Sequence, residues 1–288
     1  MSWVLEEMKA RHWKEVLSTA DDPDIARAFT FIANLNRVNW QYLLSSGRGR
    51  AALCIGEGRG TTAHALSGNY ATVVATEQVL ARVDFMRRRF EQDEIENVRV
   101  VRAAFPDLPF ADGSFDLVVF NGVLEWLPSR QPSEPPAEVQ RASLRKAFRL
   151  LKPGGHVYVG IENRWCYEYF LGAKDPHIGV PWVTILPRWI ANWRTRRVTG
   201  RRYDTYLYGR RGYEGTCAFF AGPDSPRPRP SWRKKATTIR KRSSPSPAVR
   251  RSTSSVRSTS SHEVHIADSH RRSPRGCVCS ARCSMPSS

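Results

Sequence analysis

Three glycines with a regular spacing follow a short apolar run. Gly56, Gly58 and Gly60 come directly after Ala51–Ile55, and Thr61 follows them. Glycine lets the backbone turn tightly and lets a ligand approach it closely. The spacing differs from the GxGxxG pattern of dinucleotide sites, and no Gly-Lys-Ser/Thr follows as in phosphate-binding loops. The turn therefore predicts either a site for another small ligand or a simple tight turn.

A carboxylate stands at the end of the next predicted strand. Glu77 closes the apolar run that begins at Ala71, seventeen residues after Gly60. Beside a glycine-rich turn, a carboxylate in this place can accept hydrogen bonds from both hydroxyls of a ribose. The alternative is an acid that caps the following helix and faces solvent.

Two further segments have more specific patterns. One contains Leu108-Pro109-Phe110 and then Gly113-Ser114-Phe115-Asp116-Leu117-Val118, and the other is Leu150-Leu151-Lys152-Pro153-Gly154-Gly155. With the glycine turn and Glu77 in order before them, residues 40–163 resemble the class I methyltransferases that depend on S-adenosylmethionine, of the type 11 or type 25 kind. The stretch Glu-Asn-Arg-Trp-Cys-Tyr-Glu-Tyr-Phe-Leu-Gly-Ala, residues 162–173, resembles a bacterial subgroup of that family.

The resemblance implies a set of residues that contact S-adenosylmethionine. Those around its amino-acid part and ribose are Gly56, Glu57, Gly58, Gly60, Glu77 and Gln78, and those near its adenine and sulfonium are Ala104, Phe105, Asn121, Gly122 and Leu124. The chain departs from the family pattern twice, because Cys54 and Ala104 stand where the family often has an acid. Glu57 and Asp107 are the acids that could compensate.

Side chains that follow the last predicted strand are candidates for the acceptor side of such a site. Methyl transfer is an in-line displacement, and a general base is needed when the acceptor is a weak acid such as a hydroxyl. His177 and Glu162 are the predicted catalytic residues, with Tyr167 and Glu125 as further candidates. The alternatives are an exposed loop position for His177 and a structural or cofactor-side role for Glu125.

Aromatic and basic residues cluster in the same part of the chain. Trp165, Tyr167, Tyr169 and Phe170 could form an apolar acceptor pocket or could pack a helix. The basic residues are Arg194, Arg196, Arg197, Arg201 and Arg202, with Trp189, Trp193 and Tyr203 interleaved. They could contact a phosphate-bearing substrate or a membrane surface, or form a solvated helix face.

The cysteines predict no metal site. Cys277, Cys279 and Cys283 lie near His265 and His270, but the paired CxxC spacing of zinc sites is missing. Cys54 and Cys166 are isolated in the region with periodic patterns. This usage indicates a reducing, cytoplasmic compartment.

The elements that must position these residues alternate between strands and helices. Predicted strands cover Ala51–Ile55, Ala71–Glu77, Val98–Arg102, Phe115–Phe120 and His156–Ile161, and predicted helices cover Thr61–Leu66, Val79–Phe90 and Glu138–Leu151. Such alternation predicts an α/β fold, Rossmann-like and doubly wound, with a mainly parallel sheet and helices on both faces. The antiparallel hairpin that usually ends this fold is not evident in the sequence.

The sequence divides into four segments. Residues 1–47 form a helical segment, with one helix predicted over Trp3–Leu17 and another from Asp22 to about Ser45; 48–163 form the S-adenosylmethionine-binding core; 164–215 form a substrate-side insertion; and 216–288 form a tail. The first segment is predicted to be either a packing layer or a lid, with Asn36, Arg37, Asn39 and Trp40 toward the pocket.

Charge separates the tail from the rest. The net charge of +18 splits into +6 on residues 1–215 and +12 on residues 216–288, where 17 Ser and 8 Pro also occur. Because such a segment buries too little apolar surface to offset its ordering entropy, we expect disorder there. A shift of reading frame near codon 215 would also explain the abrupt change of composition.

These observations predict an S-adenosylmethionine-dependent methyltransferase acting on a small-molecule, sugar or lipid-linked glycan acceptor, with no specific nucleic-acid partner and no membrane span. The alternatives are a nonspecific nucleic-acid-binding protein that uses the basic tail, and an inactive remnant of a methyltransferase. The sequence makes no prediction of the oligomeric state.

Overall fold

The computed structural model describes residues 2–44, 49–207 and 238–240, and within them one six-stranded sheet. Its strands are β1 (Ala51–Ile55), β2 (Thr72–Glu77), β3 (Val98–Arg102), β4 (Phe115–Asn121), β5 (Leu151–Gly160) and β6 (Thr238–Arg240). The spatial order is β3-β2-β1-β4-β5-β6. The first five strands pair in parallel, and β6 is antiparallel to β5. The predicted Rossmann-like class is therefore confirmed.

The helices of the described residues connect these strands and precede them. They are α1 (Ser2–Glu7), α2 (Trp13–Ser18), α3 (Pro23–Ala33), α4 (Thr61–Ser67), α5 (Leu80–Gln92), α6 (Pro136–Leu150), α7 (Tyr167–Phe170) and α8 (Arg188–Thr199). Two 3₁₀ helices cover Leu35–Leu43 and Leu127–Arg130. No helix in this part of the chain is both long and apolar enough to cross a membrane.

The sheet separates two apolar cores, because alternate residues of each strand point to opposite faces. On one face, Leu53 and Ile55 of β1 pack with Leu144 and Leu150 of α6. The core of the other face contains Ala52, Cys54, Val73, Ala75, Leu117 and Val119 from the sheet, Ala63 and Leu66 from α4, and Met86 and Phe90 from α5. This two-faced burial explains why the strands read as continuous apolar runs.

The N-terminal helices form a third core on the outside of α5. Val4, Met8, Trp13 and Val16 are buried there together with Phe85 of α5. The single helix predicted over Trp3–Leu17 is wrong in detail, because α1 ends at Glu7 and α2 begins at Trp13. His12 begins the second helix, since its Nδ1 accepts a hydrogen bond from the Lys14 amide at 3.3 Å.

The predicted second helix is also divided. α3 ends at Ala33, and the chain continues as the 3₁₀ helix Leu35–Leu43. Asn34 causes the change locally, because its side chain accepts a hydrogen bond from the Asn36 amide at 3.1 Å and starts a new helix. The predicted end of this helix, near Ser45, lies outside the described residues.

β5 begins earlier than the sequence predicts. The pattern Lys152-Pro153-Gly154-Gly155 indicates a break before His156, but the strand runs from Leu151 to Gly160. The register accommodates these residues as an irregularity, since Phe115 pairs with Leu151 and Leu117 pairs with His156. Gly154 has φ +80°, a backbone conformation that glycine adopts without strain.

The segment predicted to be a disordered tail contributes one strand. Thr238–Arg240 forms β6, and Ile239 pairs with Val157 of β5. These three residues take the antiparallel edge position beside β5, within the segment 216–288 for which we predict disorder. The remainder of 208–288, with Cys217, Cys277, Cys279, Cys283, His265 and His270, lies outside the described residues.

Candidate active site

The glycine-rich turn leaves β1 next to the place where the strand order reverses between β1 and β4. Gly56 and Gly60 have φ of +61° and +86°. A Cβ atom on Gly56 would lie 2.9 Å from Val123 Cγ2, and one on Gly60 would lie 2.7 Å from Phe90 Cζ. At Gly58, also with positive φ, a Cβ would meet no heavy atom within 4 Å. Packing therefore requires two of the three glycines, and the middle one borders open space where a ligand can reach backbone.

Glu77 connects this turn to the end of β2. Its side chain is 4% exposed, and Oε2 accepts a hydrogen bond from the Gly58 amide at 3.1 Å. Oε1 accepts from the amides of Gln78 and Val79 at 2.9 and 3.0 Å. The alternative of a solvent-facing acid is wrong, because the carboxylate is buried and accepts hydrogen bonds from amides of both the glycine-rich turn and the segment after β2.

Glu57 has a different role from Glu77. Its Oε1 accepts hydrogen bonds from the amides of Thr62 and Ala63 at 2.5 and 2.9 Å, so it caps the first turn of α4. Burial raises the pKa of Glu57 to about 7, although the two amide hydrogen bonds and the charge of Arg89 oppose the shift. The sequence reading includes Glu57 among the cofactor contacts, whereas the structure gives its carboxylate to a helix terminus.

The residues predicted beside the sulfonium follow β4. Asn121 Nδ2 donates to Thr62 Oγ1 at 3.3 Å, and the Gly122 amide donates to the Gly160 carbonyl at 2.8 Å. These contacts join the ends of β4 and β5 to α4. Leu124 is completely buried in the core on the α6 face. Its side chain therefore supports this region from within the core.

The residues predicted near the adenine follow β3. Ala104 is exposed, and Phe105 is buried with its ring edge-on to Phe120 at a centroid distance of 5.4 Å. Gln78 Oε1 accepts a hydrogen bond from the guanidinium of Arg130. Sequence reasoning missed Arg130, because no motif surrounds it. Arg130 is the last residue of the 3₁₀ helix Leu127–Arg130, which brings its side chain to Gln78.

Three predicted acceptor-side residues come together beyond β4 and β5, and we call them the acceptor-side cluster: Glu125, Glu162 and His177. His177 Nε2 lies 3.5 Å from Glu125 Oε1 and 3.6 Å from Glu162 Oε2. The exposed-loop alternative for His177 is wrong, because its side chain is 9% exposed and packs edge-on against Trp126 at 5.0 Å.

Asp175 stands behind the imidazole and was missed by sequence reasoning. It is 1% exposed, and its Oδ1 accepts from the amides of His177 and Ile178 at 2.8 and 2.9 Å. The Tyr203 hydroxyl donates to Oδ2 at 3.0 Å. His177 Nδ1 is 3.5 Å from Oδ1. The Asp175-Pro176-His177 sequence was the available signal, since an Asp two residues earlier can hydrogen-bond the following amides.

Charge within the cluster shifts its protonation. Burial acts to lower the pKa of His177, but Asp175, Glu125 and Glu162 outweigh it and raise the pKa to about 10. Burial, reinforced by the charge of Glu125, raises the pKa of Glu162 to about 7. For Asp175, the contacts with His177 outweigh burial and lower the pKa. At neutral pH the ring is therefore cationic, and Glu162 suits proton uptake better than His177 does.

Of the predicted lid residues, two lie close to this site. Trp40 is buried and stacks on Tyr158 at 3.6 Å with an interplanar angle of 10°. Burial lowers the pKa of Arg37, and the charge of Glu162 opposes that shift. Asn36 and Asn39 are exposed. α1 and α2 form a packing layer on α5, and the 3₁₀ helix Leu35–Leu43 borders the site.

The predicted aromatic and basic groups divide between surface and core. Tyr169 of α7 is buried, whereas Trp165, Tyr167 and Phe170 are exposed, with Trp165 and Phe170 stacked at 6.1 Å. The predicted basic cluster begins on α8, whose Trp189 and Trp193 are exposed, and continues past the end of this helix. Tyr203 is buried against Asp175. The aromatic residues thus leave an exposed apolar surface beside a cluster of buried charges.

Comparison with known proteins places a domain family on the central part of this chain. Residues 53–159 match the model of a methyltransferase domain. A demethylmenaquinone methyltransferase of Clavibacter sepedonicus is 35% identical over 111 residues, which cover 38% of this chain and 40% of that protein. An uncharacterized protein of Methanocaldococcus jannaschii is 33% identical over 90 residues, covering 31% and 38%. The chain thus spans about two fifths of the length of these curated relatives.

Solved structures are more distant. A candidate methyltransferase of Bacillus halodurans is 17% identical, with a TM-score of 0.44, over 64% of this chain and 67% of that chain. The phosphoethanolamine N-methyltransferase 1 of Haemonchus contortus, solved with phosphoethanolamine and S-adenosylhomocysteine, is 18% identical, with a TM-score of 0.39, over 55% and 32%. At such identities the likeness concerns the fold alone.

Proposed function

We propose, from the methyltransferase domain that residues 53–159 match, that this protein moves a methyl group from S-adenosylmethionine to a small-molecule, sugar or lipid-linked glycan acceptor. The observation that carries the proposal is the buried Glu77 carboxylate beside the open backbone of Gly58. This pair offers acceptor oxygens for ribose hydroxyls and a close approach to main chain in one cleft.

The residues at the end of β1, β2 and β4 fit the cofactor. Glu77 would hold the ribose, the turn around Gly58 would border the amino-acid part, and Asn121 with Gly122 would border the sulfonium. When bound, S-adenosylmethionine supplies an electrophilic methyl group on sulfur. The protein's contribution is to fix the donor in the cleft at the strand ends and to leave one side open for the acceptor.

The acceptor-side cluster would receive the acceptor. It lies beyond the carboxyl ends of β4 and β5, and Asn121 and Gly122 stand at the end of β4. It contains the polar groups that a hydroxyl acceptor needs. His177, held by Asp175, would orient the acceptor oxygen, and the carboxylate of Glu162 would take up its proton. The exposed rings of Trp165, Tyr167 and Phe170 would contact an apolar part of the acceptor.

Calorimetric titration of S-adenosylhomocysteine into the full chain tests the cofactor part. We expect binding with one site per chain, and we expect Glu77→Ala to weaken it at least tenfold, because a group that binds two hydroxyls is lost. Glu91→Ala is the matched control, since this glutamate has a side chain 67% exposed on α5 and pairs with Arg88. Its affinity should equal that of the wild type. Absence of binding by the folded wild-type chain would overturn the proposal.

A further inference from the structure

We propose that Glu125, Glu162 and His177 bind one divalent transition-metal cation, with zinc or manganese as the fitting class. The proposed role of this cation, to bind the acceptor oxygen, rests on the proposed methyltransferase function. The site itself rests on the positions and burial of the three side chains. Two carboxylates and one imidazole form a donor set that such cations accept in proteins.

The spacing of the donor atoms suits a single cation. One ligand atom from each residue lies within 4.8 Å of the other two. His177 Nε2 is 3.5 Å from Glu125 Oε1 and 3.6 Å from Glu162 Oε2. Zinc bonds of about 2.1 Å at tetrahedral angles separate two ligand atoms by about 3.4 Å. The side chains therefore stand close to ligating distances, and small rotations would complete three bonds.

Glu125 gives an independent indication of a cationic ligand. Its side chain is completely buried, and neither carboxylate oxygen has a hydrogen-bond partner within the described part of the chain. Glu162 Oε2 is likewise buried without a hydrogen bond there. A buried carboxylate without hydrogen-bond donors is costly, and a positive charge beside it, from a protonated His177 or from a bound metal, compensates it. These unpartnered oxygens belong to the two residues that face His177 Nε2.

The imidazole lies between the two glutamates and a third carboxylate. Nε2 faces the glutamates, and Nδ1 lies 3.5 Å from Asp175 Oδ1 without a hydrogen bond within the described residues. Asp175 is fixed in turn by the Tyr203 hydroxyl at 3.0 Å and by the backbone amides of His177 and Ile178. A carboxylate behind the second ring nitrogen orients a ligating histidine. A cation bound at Nε2 would take the place of the proton that the neighbouring carboxylates favour there, so that cation binding releases this proton.

Three protein ligands leave a further coordination position for a substrate oxygen. In catalytic zinc sites an open position of this kind lowers the pKa of the bound hydroxyl or water. At the acceptor-side cluster, this effect would prepare a hydroxyl acceptor for methylation. A cation there would thus assign hydroxyl-bearing compounds as the acceptor class.

The test is metal binding by the full chain, measured without any methyl transfer. The protein is stripped with a chelator and titrated with zinc chloride and, separately, with manganese chloride by calorimetry. We expect one cation per chain, at least a hundredfold weaker binding in His177→Ala and Glu125→Gln, and about tenfold to hundredfold weaker binding in Asp175→Asn. His12→Ala is the control, because this histidine also lies beside an aspartate but belongs to the N-terminal layer. This variant should bind the cation as tightly as the wild type.

The tail cysteines require a separate control, since thiolates bind zinc. Cobalt in place of zinc distinguishes them, because thiolate ligands add strong near-ultraviolet charge-transfer bands that oxygen and nitrogen ligands lack. We expect the cobalt spectrum to lack these bands and to be unchanged in a chain with Cys277, Cys279 and Cys283 replaced by Ser. Circular dichroism confirms folding of each variant, and Glu162→Gln replaces any variant that does not fold.

An ion pair between a cationic His177 and the carboxylates is the competing account of the same geometry. If the folded wild type binds no cation, or binds it as well in both His177→Ala and Glu162→Gln as in the wild type, the metal site is wrong. Binding of S-adenosylhomocysteine in that same sample would leave the proposed function standing. Conversely, cation binding without S-adenosylhomocysteine binding would contradict the proposed function and leave the metal site intact.

Discussion

Single glycines in the turn after β1 have different physical reasons to be glycine. Gly60 combines φ +86° with a Cβ position 2.7 Å from Phe90 Cζ, whereas Gly58 has a positive φ without any such contact. Gly56 resembles Gly60, because its Cβ would meet Val123. The three glycines of the turn are therefore two positions constrained by packing and one position that borders open space.

Gly60→Ala should lower the free energy of unfolding by roughly 2–4 kcal/mol, because backbone strain adds to overpacking against Phe90. Chemical denaturation measures this loss. Gly68→Ala is the matched control, since Gly68 at the end of α4 has φ −70° and no atom within 4 Å of an added Cβ. It should be neutral or stabilise by up to about 1 kcal/mol. Equal effects at the two positions would contradict the packing argument.

Glu57 should make the protein less stable as the pH rises. Its folded-state pKa of about 7 lies above the ordinary value near 4.5, so the folded state favours the protonated form. The stabilisation from this group is therefore complete below about pH 4.5 and is lost as the pH rises toward 7 and beyond, by up to about 3 kcal/mol.

Glu57→Gln tests this pH dependence, because the amide keeps an oxygen for Thr62 and Ala63 but cannot ionise. The variant should match the wild type near pH 4.5 and exceed its unfolding free energy at pH 8. Denaturation at both pH values provides the comparison. A constant difference between the two proteins across this range would show that Glu57 does not titrate as stated.

At the residue scale, sequence patterns identified the chemical types better than their partners. Glu77, His177 and Glu162 were predicted as functional; His177 and Glu162 lie together beyond β4 and β5, whereas Glu77 lies at the end of β2. Asp175 and Arg130 were missed, because their roles depend on contacts with residues distant in sequence. The burial of Glu125 could not be predicted either, because its neighbours in the sequence do not show which distant parts of the chain cover its side chain.

Among the elements, the N-terminal pair of helices depends on one side chain. Trp13 is completely buried, its Nε1 donates to Asp93 Oδ2 at 3.0 Å, and its ring lies edge-on to Phe85 at 6.4 Å. Trp13→Ala should reduce the unfolding free energy by about 3–5 kcal/mol, because a large cavity results and the buried Asp93 carboxylate loses one hydrogen-bond donor. Thermal and denaturant unfolding measure it.

Trp3→Ala provides the control for this element, because Trp3 of α1 is 49% exposed. We expect a change within about 0.5 kcal/mol. A comparable loss from both substitutions would mean that the exposed Trp3 of α1 contributes as much to packing as the buried Trp13 of α2.

The elements were predictable where burial is two-sided. β1 agrees residue for residue with its apolar run, since a strand covered on both faces shows no alternation and ends sharply at polar residues. Sequence reasoning failed where a side chain or a sheet partner decides the outcome. Asn34 ends one helix and begins another, and the neighbouring β4 draws Lys152–Gly155 into β5 despite a proline and two glycines.

For the molecule as a whole, the charge distribution allows two functions to be tested on different parts of the chain. These are the proposed methyl transfer and the alternative of nonspecific nucleic-acid binding by the basic tail. Residues 241–288 carry 9 basic and 2 acidic residues, whereas β6 ends just before them. A chain ending at residue 240 should keep S-adenosylhomocysteine binding and lose affinity for duplex DNA. In the full chain, about four phosphate contacts would reduce DNA affinity roughly a hundredfold between 50 and 200 mM salt.

Fluorescence anisotropy with labelled duplex DNA measures both chains across this salt series. The wild type should show a steep slope of log affinity against log salt and no preference among sequences. If the shortened chain retained full DNA affinity, the DNA contact would lie on residues 1–240. The basic residues of α8 would then be the candidates for that contact.

One buried guanidinium sets a lower limit on how small a working version of this protein can be. Arg89 donates to the Arg59 carbonyl in the glycine-rich turn at 2.8 Å and to the Ile32 carbonyl at the end of α3 at 3.2 Å. Its guanidinium also lies 4.4 Å from the ring of Trp13. A polypeptide starting at residue 48 would retain every predicted cofactor contact but would remove the Ile32 carbonyl and the Trp13 ring from Arg89 and uncover the apolar face of α5 around Phe85. Engineers who trim the chain to its matched domain should therefore obtain an insoluble product, and those who keep the leading helices should obtain a usable one.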